Sequence, residues 1–137
     1  MKLLMFYAED WWYKTAEKGL AEAPDVQREE AFPMGAAVIF VHAEEKDEEG
    51  RAAVTRKFLK NIKWIAGKFS TRNVVLHSFN HLSMSKASPE FALSVMDEVD
   101  ERLKSVGYTV MRTPFGYFNE FRIHVAGDSL AKVYKEF

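Results

Sequence analysis

One short polar segment holds the side chains of this sequence that are best suited to chemistry. Within seven residues it gathers an amide, an imidazole, two hydroxyls and an ammonium, from Asn80, His81, Ser83, Ser85 and Lys86. An imidazole titrates near neutral pH, and amides and hydroxyls can orient a polar ligand. The segment is therefore a candidate binding or catalytic site, and a solvated loop is the alternative.

The elements on either side place this segment at a position typical of ligand sites. The apolar run Val74–Leu76 predicts a buried strand over residues 73–78. Ser88 and Pro89 predict a helix start, with serine as the N-cap and proline in the first helical position. A loop between the carboxyl end of a strand and a helix N-terminus is where open α/β folds place ligands.

A second candidate is the turn Thr113–Gly116, with Tyr117 beside it. Such a turn exposes backbone N–H and C=O groups next to aromatic rings, which can recognise a small polar group. By itself it is equally well a hairpin turn. His42 lies inside a predicted strand and is expected to be a partly buried, hydrogen-bonded histidine.

Composition excludes several kinds of site. The 137 residues contain no cysteine, which removes disulfides, thiol catalysis and cysteine-ligated metals. The seven glycines form no phosphate-binding loop, and His77 and His81 straddle a strand end, which disfavours a shared metal. No apolar run approaches ~20 residues. We expect an intracellular, cytoplasmic protein that uses no metal or cofactor and contacts no membrane.

The charges are segregated although the net charge is only −1. An acidic run at residues 44–49 precedes the segment 51–72, which has seven basic residues and no acidic one. Acidic residues are favourable before a helix and basic residues are favourable towards its end, which explains this pattern. Contact with nucleic acid explains it equally well. Trp64 falls on the basic side of the predicted helix, as a packing residue, a subunit contact or a base-stacking platform.

The remaining patterns predict a single α/β domain with a mixed sheet and two long helices. Strands are predicted at 2–8, 35–43, 108–112 and 117–125, with 10–13 as a continuation of the first or a bent edge. Helices are predicted at 50–69, 89–106 and 128–137. Residues 14–34 are predicted to be a loop with at most one helical turn.

Two motifs add a family resemblance. Residues 79–89 (F-N-H-L-S-M-S-K-A-S-P) and 113–118 (T-P-F-G-Y-F), followed by F-R-I-H-V-A-G-D, resemble the N-terminal editing domain of archaeal threonyl-tRNA synthetase. The resemblance covers residues 1–137 as one aminoacyl-tRNA editing domain. It implies a D-aminoacyl-tRNA deacylase-like fold, a homodimer, and hydrolysis of L-serine mischarged on threonine tRNA.

The resemblance also assigns site residues. One wall of the aminoacyl pocket is expected from Phe79, Asn80 and His81, and the opposite wall from Phe115, Gly116 and Tyr117. Ala92 matches a small pocket-facing position, and His42 is expected to approach the pocket. Because the family relies on the terminal 2′-hydroxyl of the tRNA to activate water, His81 is expected to orient rather than act as an obligatory base.

Two departures from the family pattern are visible. The family often has a lysine where this chain has Asn119, and an acidic residue where it has Lys132. This looks like a charge exchange, in which Lys132 supplies the missing ammonium. The chain ends at Phe137 without an aminoacylation domain. An excised domain or part of a trans-editing protein is therefore expected, with threonine tRNA and other synthetase domains as partners.

Three alternatives stay open on these grounds. A D-aminoacyl-tRNA deacylase would share the expected fold. A non-catalytic module that binds tRNA or protein would explain the basic helix with Trp64. A dimerisation domain, compatible with the editing function, would use the outward aromatic Phe118 and the doubly apolar strand 35–43.

Overall fold

The computed structural model, which describes residues 1–137, is organised around one long strand. This strand, β1 (Lys2–Lys18), pairs antiparallel with four others. They are β2 (Glu29–Phe32), β3 (Ala36–His42), β6 (Tyr117–Val125) and β7 (Lys132–Glu136). The sheet continues from β3 through the parallel strands β4 (Asn73–Ser78) and β5 (Thr109–Arg112).

Two long helices complete the domain, α1 (Arg51–Lys68) and α2 (Pro89–Ser105). Short 3-10 turns lie at Glu45–Glu49 and Ser129–Ala131. The expected single mixed α/β domain with two long helices is confirmed. No helix is long and apolar enough to cross a membrane.

The two faces of the sheet have different coverings. Both helices pack on one face, where Phe58, Ile62 and Leu103 join the larger apolar core. The other face carries a smaller cluster to which no helix contributes, built around Trp11 and Phe40. Every residue of β3 is buried, which confirms that this strand is covered on both sides.

The interpretation of residues 14–34 as a loop was wrong for 14–18 and 29–32, although residues 19–28 lie in no helix or strand. β1 runs on to Lys18, and β2 occupies residues 29–32. The continuation is set by partners from far along the chain, since Thr15 pairs with Asn119 and Lys18 with Tyr117. The local sequence, rich in lysine, alanine and glutamate, gives no strand signal because cross-strand packing decides it.

The predicted helix at 128–137 was also wrong. Only a 3-10 turn forms at its start, and the following residues form β7. β7 pairs with residues 2–6 of β1, along the edge opposite β3. A strand there satisfies backbone groups of β1 that a helix would leave without partners.

Helix ends follow the local signals. The Ser88 hydroxyl accepts a hydrogen bond from the Phe91 amide at 3.2 Å, and Pro89 begins α2. Gly107 has a φ of +91° immediately after the last turn, as a C-terminal stop requires. The Ser88–Pro89 start and the Gly107 stop therefore define the two ends of α2, and its start marks the end of the candidate loop.

Candidate functional site

The loop between β4 and α2 is held by a buried histidine at the end of β3. The Leu82 amide donates to Nδ1 of His42 at 3.1 Å, and Nε2 lies 2.7 Å from the Ser85 carbonyl oxygen. Because a backbone N–H can only donate, Nδ1 accepts and Nε2 carries the proton. One fully buried ring therefore fixes both ends of the segment 82–85.

Carboxylates that follow β3 hold the same loop. The Ser83 hydroxyl donates to Oε2 of Glu44 at 2.8 Å, and the Ser88 amide donates to Oε1 of Glu48 at 2.7 Å. Burial acts to raise the pKa of Glu44, but hydrogen bonds from the Met1 ammonium and Ser83 bring it below its usual value. Hydrogen bonds to carboxylates thus tie the loop to the segment that follows β3.

The exposed part of the loop presents an aromatic and an imidazole side by side. Phe79 and His81 meet edge to face, with ring centroids 5.0 Å apart. His81 and Asn80 are exposed, whereas Phe79 is half-buried against the smaller cluster. Phe79, Asn80 and His81 therefore share one surface, on which the two polar side chains face solvent.

His77 connects the first wall to the second, a role that sequence reasoning missed. Its Nδ1 lies 2.9 Å from the hydroxyl of Thr113, the residue that opens the second wall. Its ring lies among aromatic rings, 4.8 Å from Phe40 and 5.4 Å from Phe121 between centroids. Burial lowers the pKa of His77 to about 4. The imidazole is therefore a neutral structural link.

This burial predicts a pH-dependent loss of stability. The folded-state pKa of His77 lies below its unfolded value, so protonation favours unfolding as the pH falls. From about pH 7.5 to about pH 4.5, the protein should lose about 2.5 kcal/mol more unfolding free energy than its His77→Gln variant. Denaturant unfolding of both at each pH measures this difference. Parallel pH profiles would contradict it.

The second predicted wall is shaped by a left-handed glycine. Gly116 has a φ of +81°, and its carbonyl oxygen accepts from the Gly19 and Leu20 amides at 2.7 and 3.0 Å. The Tyr117 hydroxyl donates to the Pro24 carbonyl and accepts from the Val26 amide, both at 2.8 Å. The wall is thus joined to the segment 19–26, which lies between β1 and β2.

Ala92 and Phe115 are both half-buried at the margin of the larger core. Phe115 and Tyr117 also line a groove of about 680 Å³, between α2, β5 and the segment 20–30. Thr113 and Pro114 of the candidate turn line it too, whereas the other residues assigned to the aminoacyl pocket do not. The structure thus places Phe115 and Tyr117 at this groove, and Phe79, Asn80 and His81 on the loop that follows β4.

Asn119 and Lys132 are not brought together. Asn119 pairs with Thr15 and Lys132 with Phe6, so nine residues of β1 separate them, ~30 Å in an extended strand. The Lys132 ammonium donates to the Ala126 carbonyl at 2.8 Å. The Asn119 Nδ2 donates to the Tyr117 carbonyl, and its buried Oδ1 has no partner.

Comparison with known proteins decides the family. A model described as the archaea-specific editing domain of threonyl-tRNA synthetase matches residues 1–137. The chain belongs to this family. The resemblance inferred from the two motifs is therefore confirmed.

Curated relatives of this editing domain are threonine–tRNA ligases of archaea. The chain is 32% identical over 136 residues to that of Thermococcus gammatolerans and 31% over 135 residues to that of Thermococcus onnurineus. It is 29% identical over 133 residues to that of Methanopyrus kandleri. These alignments cover 97% of this chain but only 21 to 22% of the relatives. The chain thus spans about a fifth of their length.

A solved structure matches the whole fold. The c-Myc DNA unwinding element binding protein superposes with a TM-score of 0.65 over 100% of this chain and 99% of that one, at 14% identity. At this identity the likeness establishes the fold alone. The editing domain therefore shares its architecture with this protein.

Proposed function

We propose that this editing domain hydrolyses L-serine mischarged on threonine tRNA and spares L-threonyl-tRNA. The family match over the whole chain carries this proposal. The rigid loop that presents His81, tied to β3 through His42, supports it. The substrate is the aminoacylated 3′ end of threonine tRNA, and other synthetase domains, in cis or in trans, are its partners.

The chemical reason for such a site is the small difference between the two amino acids. Serine lacks only the methyl group of threonine, and one methyl in a pocket discriminates by ~1–3 kcal/mol. A second site that excludes the methyl removes the wrong product instead. Ala92 and Phe115, both half-buried at the margin of the larger core, are the residues we assign to this size limit.

The reaction is attack of water on the ester carbonyl. The bond from that carbon to the ribose oxygen breaks, and the ribose oxygen takes up a proton from the attacking water. We assign activation of the water to the adjacent 2′-hydroxyl of the tRNA, with His81 and Asn80 orienting the aminoacyl group. Their exposure on a tethered loop supports an orienting role, because a fixed polar group costs no reorganisation during reaction.

We further propose that the domain is a homodimer through the helix-free face of the sheet. Phe121 of β6 is 38% exposed, and its ring packs on Trp11 and Phe40 of the smaller cluster. Phe6 is also only partly buried beside the smaller cluster. Exposed aromatic residues on one surface are typical of subunit contacts.

Exchange of charge between Asn119 and Lys132 stays a hypothesis. The two residues lie apart in one chain, so a shared role needs a partner subunit or the substrate. The hypothesis would be wrong if the Lys132→Ala variant hydrolysed seryl-tRNA at the full rate while the Asn119→Ala variant lost the activity. Lys132 would then not take the place of the family's lysine.

The test of the function is hydrolysis of seryl-tRNA with and without the terminal 2′-hydroxyl. We expect turnover well above buffer on the natural RNA and a loss of at least about 100-fold on the 2′-deoxy form. A D-aminoacyl-tRNA is the control substrate. Equal rates on the two RNAs would contradict the RNA-assisted mechanism. Faster D-aminoacyl cleavage would identify a D-aminoacyl-tRNA deacylase, and no turnover would identify a binding module.

A further inference from the structure

The outward side of α1 is a uniformly basic surface. Its charged side chains are all cationic and all exposed, and they are Arg56, Lys57, Lys60, Lys63 and Lys68. The other outward residues of the helix are neutral, including Ala52, Asn61 and Gly67. We call this surface, with Trp64 and the adjacent Lys135, the α1 basic face.

None of these cations has an acidic partner. No carboxylate oxygen lies within 4.0 Å of the charged nitrogens of the α1 basic face, whereas Lys2, Arg51 and Arg112 all form ion pairs. The acidic run that precedes α1 forms no ion pair with them, and two of its carboxylates, Glu44 and Asp47, bind the Met1 ammonium instead. In a chain with 20 acidic and 19 basic residues, this is a marked separation of charge.

An exposed tryptophan lies within the same surface. Trp64 is 40% exposed, and the Lys135 ammonium lies 5.7 Å from its ring centroid. The α1 basic face therefore continues from the helix onto β7.

The α1 basic face begins at the same end of the sheet as the candidate loop. A 3-10 turn joins the end of β3, where His42 holds the loop, to the start of α1. There the Arg51 guanidinium donates to the Ser94 hydroxyl of α2 at 2.6 Å. From this end, α1 extends 18 residues, or ~27 Å.

We propose that the α1 basic face binds the phosphate backbone of the double-stranded acceptor arm of a tRNA. This inference rests on the proposed function, since the acceptor arm carries the 3′ end that would enter the candidate site. Unpaired lysines along one helix give contacts that do not depend on base sequence. Each phosphate neutralised releases counterions, so affinity falls as salt rises.

The test is equilibrium binding of an uncharged RNA hairpin that carries the threonine acceptor arm, measured at several salt concentrations. The Lys60→Gln/Lys63→Gln double variant should bind at least about tenfold more weakly, with a log–log salt slope shallower by about 2. The matched double variant Lys14→Gln/Lys46→Gln has the same net charge and should bind as the parent does. With seryl-tRNA, the first variant should raise KM and leave kcat unchanged.

Equal affinity and slope for the two double variants would overturn the proposal. So would a loss of affinity by Lys60→Gln/Lys63→Gln for an acidic synthetase domain with no loss for the hairpin, since the occupant would then be protein. The hairpin carries no ester, so its binding does not depend on hydrolysis. If the protein binds the hairpin with the predicted salt slope but cleaves no seryl-tRNA, the proposed function is refuted. RNA binding by the α1 basic face would still be supported.

Discussion

Replacement of His42 with leucine should lower kcat for seryl-tRNA hydrolysis by about 100-fold, because small displacements of a positioned site cost that much. The ring is fully buried and holds the loop at Leu82 and Ser85. Leucine fills the space, but its side chain can neither accept the hydrogen bond from the Leu82 amide nor donate one to the Ser85 carbonyl. Both contacts are therefore lost. Single-turnover hydrolysis, with circular dichroism to confirm folding, measures the effect.

The matched control is His124→Leu. His124 lies on β6 with its side chain 66% exposed, and its one polar contact is Glu9 at 3.5 Å. The same chemical change there should leave the rate within about twofold of the parent, as surface substitutions away from special features usually do little. A folded His42→Leu protein with parental kcat would show that the loop needs no anchor.

Replacement of Gly116 with alanine should lower the free energy of unfolding by about 2 kcal/mol or more. The φ of +81° disfavours any residue with a Cβ. An added Cβ would also lie 3.1 Å from the Ala23 Cβ and 3.3 Å from the Leu20 Cβ. Relief of this strain would move the turn away from the segment 19–26. Denaturant unfolding measures the loss, and seryl-tRNA hydrolysis should fall with it.

Gly127→Ala provides the comparison. An added Cβ at Gly127 meets nothing within 4 Å, and its φ is not in the left-handed region. Its unfolding free energy should stay within about 0.5 kcal/mol of the parent. Equal stability of the two alanine variants would mean that the second wall tolerates a side chain at Gly116.

Local signals predicted the elements that frame the site. Ser88 with Pro89, and Gly107, define the two ends of α2 through rules that need only neighbouring residues. The apolar run Val74–Leu76 likewise defined β4 correctly. The extension of β1 and the strand β7 escaped prediction because their stability comes from pairing with residues about 100 or more positions away.

The same distinction applies to the site. The sequence pointed to the loop around His81 and named His42 and Ser85, but it did not predict the hydrogen bonds that hold the loop. His42 and Ser85 are 43 positions apart, and His77 and Thr113 are 36 apart. Hydrogen bonds of this range leave no local pattern. The groove lined by Phe115 was missed for a related reason, since seven of its twenty lining residues lie within 20–30, in a segment that was interpreted as a loop with at most one helical turn.

The most direct test of the account is the ratio of hydrolysis rates for L-seryl and L-threonyl esters on the same threonine tRNA. We predict a seryl rate at least about 100-fold above the threonyl rate, because a site that excludes the methyl group by contact penalises threonine more than a loose pocket would. Comparable cleavage of the two esters would contradict proofreading by this domain.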